Sequence, residues 1–293
     1  MQYWNATLLY QAGLLLGEGP HWHPGWKKFL YVDIEGEKLG CIDPDTKEVK
    51  ERNVAKKIGA VVPAHNHKLI VALQGSIEEF DFATGEKIAL IKIENDKPHN
   101  RCNEGKCDAA GRLWIGTMHI EAKGTAGTLY CFDGRLTKKL SGIKVSNGIC
   151  WSSDNNTMYY IDSFDYNIKA YDFNLMSGDI SNERVVVKIE EPGFIPDGMT
   201  IDEEDMLWVA IWGSGYVNRY DPHNGHLIGK VMVDAANVTS CAFGGEQMEK
   251  LLITTASIGL DEKQLRGGGS LFIAETGIKG RPVHLFNNVK INL

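Results

Sequence analysis

A unit of roughly 40–50 residues recurs along this chain, and its clearest copy begins at Pro196. The copy opens with Asp197-Gly198 and continues through the apolar run Leu207 to Trp212, a Gly-Ser-Gly break and the run Tyr216 to Tyr220. The turn His223-Asn224-Gly225 then leads into another apolar segment. Four short strands joined by tight turns are typical of one blade of a β-propeller.

The same pattern begins six times along the sequence. The copies begin near Glu18, Gly59, Asn103, Ser146, Pro196 and Thr239. Intervals of this size match the blades of a propeller, and we see no segment of useful length with the period of a helix. The sequence therefore predicts an all-β fold, a six-bladed β-propeller with four antiparallel strands per blade, as a single domain over residues 1–293.

The two ends of the chain are predicted to finish the ring. Ala6 to Tyr10 is predicted to form a strand that closes the ring with the last blade, because a propeller otherwise leaves an exposed strand edge. The tail, Val283 to Leu293, alternates apolar and polar residues and is predicted to complete the final sheet.

The charge of the chain bears on the class of partner. The formal net charge is -7 and there is no basic run, which argues against binding to nucleic acid or to an anionic membrane. The N-terminus lacks the basic segment of a signal peptide, and no stretch is long and apolar enough to span a bilayer. These features favour a small-molecule or metal partner and leave the oligomeric state open.

The cysteine pattern bears on the compartment. The chain has six cysteines and no CxxC pair. A zinc–thiolate site would need clustered ligands, which this pattern lacks. We expect reduced, mostly buried thiols in a cytoplasmic protein.

One position of the repeat brings polar oxygens together. The innermost strand of every blade lines the central channel, so side chains at the same repeat position point to the same axis. The residue before the repeat glycine is Glu18, Glu104, Asn147 or Asp197 in four copies. Alone, each would be an ordinary turn residue. In register, these carboxylates would repel one another, and a divalent cation removes that difficulty; hard oxygen donors suit Ca²⁺, Mg²⁺ or Mn²⁺ more than a structural Zn²⁺.

Several sequence blocks, in order and at blade spacing, carry a family resemblance. They are GEGPHW from Gly17, RCNEGKCDAAGRLWIGTM from Arg101, SNGICWS from Ser146, MYYIDS from Met158, IPDGMTID from Ile195 and TSCAFGG from Thr239. On these blocks the chain resembles the SMP-30/gluconolactonase/luciferin-regenerating-enzyme family over nearly its whole length.

The resemblance implies a six-bladed propeller that hydrolyses sugar lactones with one divalent cation on the channel axis. Ca²⁺ is the favoured cation, with Zn²⁺, Mg²⁺ and Mn²⁺ as alternatives. By motif, the metal ligands would be Glu18, Asn147 and Asp197, with Asp197 also the general base, and the substrate contacts would be Arg101, Asn103 and Glu121. Glu104 stands where many relatives carry Asp, and its extra methylene could bring it next to the ligands or make it a further one.

The expected chemistry is the opening of an aldonolactone such as gluconolactone by water, with the metal polarising the carbonyl and acidifying the attacking water. For Arg101, a surface salt bridge is the alternative to a substrate contact. The segment Ile120 to Gly127 looks shorter than the lid of animal family members, which predicts a more open pocket and bears on Glu121.

Two other functions stay open at this point. One is a calcium-binding regulatory protein without turnover, as proposed for animal relatives. The other is a hydrolase of organophosphates or aryl esters on the same scaffold.

Several residue types are given structural roles. Trp114, Trp151 and Trp208 recur at blade positions and are predicted to pack between blades. The histidines near inner-strand starts and loops are not expected to bind the metal; they are His21, His23, His65, His67 and His99.

Overall fold

The computed structural model describes residues 1–262 and 264–287 and contains six β-sheets arranged as a propeller. The strands are β1 (Gln2–Asn5), β2 (Thr7–Tyr10), β3 (Gly17–His23), β4 (Lys28–Asp33), β5 (Lys38–Ile42), β6 (Val49–Asn53), β7 (Ile58–Pro63), β8 (Leu69–Leu73), β9 (Ser76–Phe80), β10 (Lys87–Lys92), β11 (Asn100–Cys107), β12 (Leu113–His119), β13 (Gly127–Phe132), β14 (Leu136–Ile143), β15 (Ser146–Trp151), β16 (Thr157–Asp162), β17 (Asn167–Asn174), β18 (Asp179–Lys188), β19 (Ile195–Ile201), β20 (Leu207–Trp212), β21 (Tyr216–Tyr220), β22 (Leu227–Met232), β23 (Asn237–Gly244), β24 (Lys250–Ala256) and β25 (Leu271–Glu275).

The predicted fold class is confirmed. Blades 1 to 4 are β3–β6, β7–β10, β11–β14 and β15–β18, blade 5 is β19–β22, and blade 6 is β23–β25 with β2 outermost. Short 3-10 turns occur at His65–His67 and Ser163–Asp165, and the described residues form no α-helix. Nor does the described part of the chain hold a helix with the length and apolarity needed to cross a membrane.

The N-terminal segment closes the ring as predicted. In blade 6, β2 pairs antiparallel with β25, and Thr7 lies opposite Ile273. This pairing covers an edge that would otherwise be open to another chain. Just before it, β1 adds a parallel fifth strand to blade 5, with Trp4 opposite Val231.

The prediction for the C-terminal tail is wrong, because β2 already takes the outer place in the last sheet. The tail instead runs toward blades 2 and 3, where Phe286 forms a parallel bridge with Ala64 and stacks on Phe132 at 5.7 Å. The backbone amide of Asn287 donates to the carbonyl of Gly111. The rest of the predicted strand, 288–293, lies outside the described residues.

The core consists of apolar clusters between neighbouring blades. Between blades 1 and 2, for example, Leu30 and Val32 pack with Val61 and Val71. A blade is covered on both faces, which explains why its strands are continuous apolar runs rather than alternating ones. In β20 every residue from Leu207 to Ile211 is buried.

The tryptophans predicted to pack between blades do so. Trp114 and Trp151 share one inter-blade cluster, and Trp208 lies in another. The Trp208 indole Nε1 donates to Asp202 Oδ2 at 2.8 Å, just as Trp114 Nε1 donates to Asp108 Oδ2 at 2.8 Å. A buried indole N–H needs an acceptor, and these aspartates provide it.

Asp202 should contribute far more to stability than an exposed turn aspartate. Its Oδ2 accepts from Trp208 and from the buried Arg219 Nε at 2.8 Å, and its Oδ1 accepts two backbone amides. We expect Asp202→Ala to lower the free energy of unfolding in urea by about 3–5 kcal/mol, because it leaves a buried guanidinium without that partner. The control is Asp221→Ala, whose carboxylate accepts from the exposed residues His223 and Asn224. Equal losses in both variants would contradict the expectation.

Candidate functional site

All six inner strands break their pairing register at the same level of the ring. These strands contact one another in sequence around the channel, and the last contacts the first. The breaks fall between Glu18 and His21, Ile58 and Ala60, Cys102 and Gly105, Ser146 and Ile149, Pro196 and Met199, and Val238 and Ser240. Such β-bulges redirect side chains and are frequent beside active sites.

The pairing register identifies the equivalent residue in each blade. Between the paired positions of β15 lie Asn147 and Gly148, and between those of β19 lie Asp197 and Gly198. In β3, Gly17 pairs with Asp33 as Ser146 pairs with Asp162, so the next residue, Glu18, is equivalent to Asn147.

In blade 3 the register corrects the sequence alignment. Cys102 pairs with Thr117 and Gly105 with Ile115, so Asn103 and Glu104 occupy the bulge. The residue equivalent to Asn147 and Asp197 is therefore Asn103, and Glu104 lies one place further along. Aligning the blades on the glycine was wrong here, because Gly105 comes one residue later than the glycines of blades 4 and 5.

The glycine of the repeat allows neighbouring inner strands to approach closely. A Cβ at Gly198 would lie 2.0 Å from Ser240 Oγ, and one at Gly148 would lie 2.5 Å from Met199 Cβ. No side chain fits there without moving the next blade. The Asx-Gly pair thus combines a polar side chain with close packing between blades.

At the end of the channel where these bulges lie, it opens into a cavity of about 410 Å³, which we call the acidic cavity. Five predicted site residues line it, and each is at most 8% exposed; they are Glu18, Arg101, Asn103, Asn147 and Asp197. Most of the remaining lining is apolar: Leu16, Met118, Ile120, Ala122, Val145, Phe164, Ile195, Trp212 and Ile258. The structure therefore brings the polar groups together inside a largely apolar enclosure.

Burial and mutual repulsion disfavour the charged forms of the acids. Burial, with the nearby Glu104 carboxyl, raises the pKa of Glu18 to about 8 from its ordinary 4.5. Burial, followed by repulsion from Glu18 and Glu104, also raises the pKa of Asp197 well above its usual range. Nearby carboxyls with such pKa values are destabilised as anions, and a cation between them would reverse this effect.

The donor set fits a hard divalent cation. The amide Nδ2 of Asn147 donates to Ser163 Oγ at 3.0 Å, while its Oδ1 is buried and accepts no hydrogen bond from the described residues. The candidate ligands are thus two carboxylates and one amide oxygen, a set that suits Ca²⁺ or Mg²⁺ with water completing the shell. Within residues 1–262 and 264–287, no three Asp, Glu, His or Cys side chains form a metal-holding group.

Arg101 lies beside these oxygens and is buried. Its Nη1 donates to the Cys102 carbonyl at 3.0 Å and to Asn103 Oδ1 at 2.5 Å, and Asn103 Nδ2 donates to the Ser146 carbonyl at 2.7 Å. Its Nε is buried and finds no acceptor in the described chain. This arrangement excludes the surface salt bridge and leaves a fixed guanidinium with one unused donor. Its charge interacts with those of acidic neighbours, among them Glu35 and Glu18.

Comparison with known proteins places the chain in a family. The profile described as SMP-30/Gluconolactonase/LRE-like region matches residues 16–257. The chain belongs to this family. Regucalcin from Danio rerio is 36% identical to it over 279 residues, covering 92% of this chain and 94% of that protein. Regucalcin from Homo sapiens is 34% identical over 275 residues, covering 90% and 92%.

Solved structures of SMP-30/gluconolactonase-like proteins have the same architecture. A luciferin-regenerating enzyme matches with a TM-score of 0.90 at 28% identity, covering 97% of this chain and 100% of that one. A calcium-binding protein, regucalcin, from Agrobacterium tumefaciens matches with a TM-score of 0.92 at 28% identity, covering 98% of each chain. A gluconolactonase from Xanthomonas campestris, with a TM-score of 0.74 at 19% identity over 92% and 89%, shares the fold.

Glu121, the remaining candidate substrate contact, lies at the rim of the cavity. Its side chain is 63% exposed and pairs with Lys123 Nζ at 2.7 Å, and this contact lowers the pKa of Glu121. Its neighbours Ile120 and Ala122 line the cavity, although Glu121 itself is not among the described lining residues. The backbone is thus beside the cavity while the carboxylate faces Lys123.

The cavity also uses residues that sequence reasoning missed. Glu35, Phe164, Trp212 and Ile258 line it, yet they lie in connections or at strand ends that differ between blades. Glu35 forms a close ion pair with Lys57. Glu35 could have been predicted from its position in the sequence, two residues after Asp33, which pairs with the inner strand β3.

The histidines predicted to be structural lie outside the described lining of this cavity. His23 stacks on Trp26 at 4.1 Å, and His99 stacks on His119 at 5.9 Å. His65 and His67 lie in an exposed 3-10 turn. His21 is buried at the other end of the channel.

Proposed function

We propose that this chain is a divalent-metal-dependent lactonase that opens sugar lactones such as gluconolactone. The observation that carries this proposal is the meeting of Glu18, Asn147 and Asp197 with a buried arginine in one cavity. The donor set suits Ca²⁺ first, with Mg²⁺, Mn²⁺ or Zn²⁺ as alternatives. When bound, such a cation would supply Lewis-acid polarisation of a carbonyl and a lower pKa for water.

The side chains around the cation would divide the remaining work. Arg101 would donate through Nε to a substrate oxygen, because this buried N–H has no acceptor in the described chain. Asn103, held by Arg101 and by the Ser146 carbonyl, would orient a hydroxyl or carbonyl group of the substrate. Asp197 would accept the proton of the attacking water.

Two acidic residues have supporting roles in this proposal. Glu121 would reach the substrate only after releasing Lys123, since its carboxylate is paired at the rim. Glu104 would act electrostatically, because it is buried and raises the pKa of both Glu18 and Asp197.

Chelation tests the metal requirement directly. With gluconolactone in a pH-stat, acid release above the spontaneous rate should disappear in EDTA and return on adding Ca²⁺, Mg²⁺, Mn²⁺ or Zn²⁺ in turn. The physical reason is that without a cation the acids keep their protons and no Lewis acid polarises the carbonyl. Asp221→Asn, which removes a carboxylate at an exposed turn, serves as a matched control and should respond to EDTA and to added metal as the unsubstituted chain does. Turnover that persists unchanged in EDTA would contradict the proposal.

The names of the relatives favour a second candidate, a calcium-binding protein without turnover. Curated relatives are called regucalcin, and one solved relative is described as a calcium-binding protein. A regulator would bind Ca²⁺ but release no acid from any lactone, so calorimetry with Ca²⁺ beside the pH-stat assay separates the two functions.

The apolar wall of the cavity favours a third candidate, hydrolysis of aryl esters or phosphotriesters. Trp212, Phe164 and Ile258 offer contact surface to an apolar group rather than to hydroxyls. A comparison of kcat/KM on gluconolactone, phenyl acetate and a phosphotriester would rank the classes. A preference for the aryl substrates would favour this alternative.

We also propose a reducing, cytoplasmic location and a small-molecule partner rather than nucleic acid or membrane. All six cysteines are unpaired and buried, which is usual for thiols kept reduced.

A further inference from the structure

The opposite end of the channel holds a second cavity, which we call the far pocket. It is about 100 Å³ in volume and is lined by the later residues of the inner strands and by the tail, including His21, Lys106, Trp151, Arg281 and His284. His21 follows Glu18 by three residues on β3, which separates the two levels by about 10 Å along the strand. The far pocket is therefore distinct from the acidic cavity.

The charges of the far pocket are positive. Lys106 and Arg281 line it, and none of the described lining residues is Asp or Glu. Lys106 Nζ donates to the Met199 carbonyl in a short hydrogen bond, which leaves two of its three N–H groups. Among the described residues, Arg281 forms a long ion pair with Asp205 Oδ1 at 3.4 Å and donates to the Ser153 carbonyl at 3.3 Å. Both cations can accept a further anionic partner.

Two buried polar atoms of the lining point to a ligand. Trp151 is 7% exposed and His21 is 6% exposed, and neither Trp151 Nε1 nor His21 Nδ1 has a hydrogen-bond partner among the described residues. An indole N–H can only donate, so whatever satisfies it must offer an acceptor. Leaving a buried donor unsatisfied costs free energy, and a bound acceptor recovers it.

The histidines of the far pocket add no charge at neutral pH. Burial, and then the charge of Lys106, lowers the pKa of His21 to about 3. Burial also lowers the pKa of His284. Both rings are neutral, and the positive charge resides on Lys106 and Arg281.

The rest of the lining sets the size and the apolar part of the ligand. Trp22, Phe243, Pro282 and Val283 contribute apolar surface. A water needs roughly 10–15 Å³ of such volume, so the far pocket has room for a molecule of roughly seven to ten non-hydrogen atoms. That is the size of a benzoate ion rather than of a nucleotide.

We propose that the far pocket binds a small organic carboxylate whose anionic head meets Lys106, Arg281 and the Trp151 N–H. Its apolar body packs on Trp22 and Phe243. A purely structural role for Lys106 as counter-charge to Glu18 and Glu104 is the alternative, and it predicts no ligand. The proposal is independent of the lactonase reaction, which uses the other end of the channel.

Isothermal titration with benzoate, and with benzamide as the neutral isostere, tests the proposal on the full chain. Benzoate should bind with saturation, and benzamide should bind at least about tenfold more weakly, because a charge-assisted hydrogen bond is lost. Arg281→Met and Trp151→Phe should each weaken benzoate binding, the first by about tenfold. The matched control is Arg266→Met, where the side chain is 83% exposed and paired with Asp234; it should change nothing.

The outcome that locates the site is the response to Arg101→Met. Benzoate binding that survives this variant lies in the far pocket, whereas binding lost in this variant lies in the acidic cavity and overturns the proposal. Equal affinity for benzamide, an unchanged affinity in Arg281→Met, or no saturable benzoate binding would also overturn it. Lys106→Met is expected to abolish binding; if it does not fold, the Arg281 and Trp151 variants decide the question.

Discussion

Asp197→Asn should abolish lactone hydrolysis and weaken divalent-metal binding together. The substitution keeps the size of a side chain that is 8% exposed but removes its negative charge, leaving Glu18 as the remaining carboxylate of the proposed ligand set. It also removes the group placed to take a proton from water. We expect kcat/KM on gluconolactone to fall by about a thousandfold or more, and Ca²⁺ affinity measured by calorimetry to fall in parallel.

Asn103→Ala is the variant that separates the two effects. Asn103 lies at the repeat position equivalent to Asp197, but its amide is held by Arg101 and by the Ser146 carbonyl. It should lower kcat/KM by about tenfold to a hundredfold while leaving Ca²⁺ affinity unchanged. Lost metal binding in Asn103→Ala would show that Asn103 is a ligand, and full activity in Asp197→Asn would remove the proposed mechanism.

The fold was predictable because a propeller blade is local in sequence. Each blade pairs consecutive strands through short turns, so the repeat of apolar runs and turn residues specifies the sheets directly. The same periodicity explains why Glu18, Asn147 and Asp197 could be placed together before any coordinates. Equivalent positions of equivalent strands face one axis.

The errors arose where register or long-range competition decides the structure. The repeat glycine aligns Glu104 with Asn147 and Asp197, but a bulge adds a residue without a fixed sequence signal, and Asn103 takes the equivalent place. The alternation of the tail predicts a strand in the last sheet, yet that edge is already paired with β2 from the other end of the chain. Local patterns do not show which of two segments takes one edge.

The remaining features could not be read from the repeat because they are not repeated. Trp212 and Glu35 line the acidic cavity from strand ends and connections, and Arg281 lines the far pocket from the tail. Their positions depend on how individual connections cross the ends of the ring. Sequence periodicity thus predicts the channel and the position along it of the candidate metal ligands. The other residues that line the two ends of the channel can be located only from the structure.

Above about pH 7, where the histidines of the unfolded chain have lost their protons, Glu18 and Asp197 should make the metal-free protein less stable as pH rises, and a cation should reverse that trend. Burial and Glu104 raise the pKa of Glu18 to about 8 from 4.5, and burial with Glu18 and Glu104 raises the pKa of Asp197. Above their ordinary pKa values, the Glu18 and Asp197 side chains keep protons in the folded chain that they have released in the unfolded chain. The contribution of each group to the free energy of unfolding therefore falls with rising pH, by up to about 1.4 kcal/mol per pH unit, and the contribution of Glu18 levels off above about pH 8.

Urea unfolding at about pH 7, 7.5 and 8, with EDTA or with excess Ca²⁺, measures this linkage. With Ca²⁺ the carboxylates are favoured as anions, so the stabilisation by metal should grow over the same interval. The control is the double variant Glu18→Gln, Asp197→Asn, in which both the EDTA slope and the Ca²⁺ effect should flatten. An EDTA slope between about pH 7 and 8 that is the same in the unsubstituted chain and in the double variant would contradict this linkage, because buried neighbouring carboxyls oppose their own ionisation.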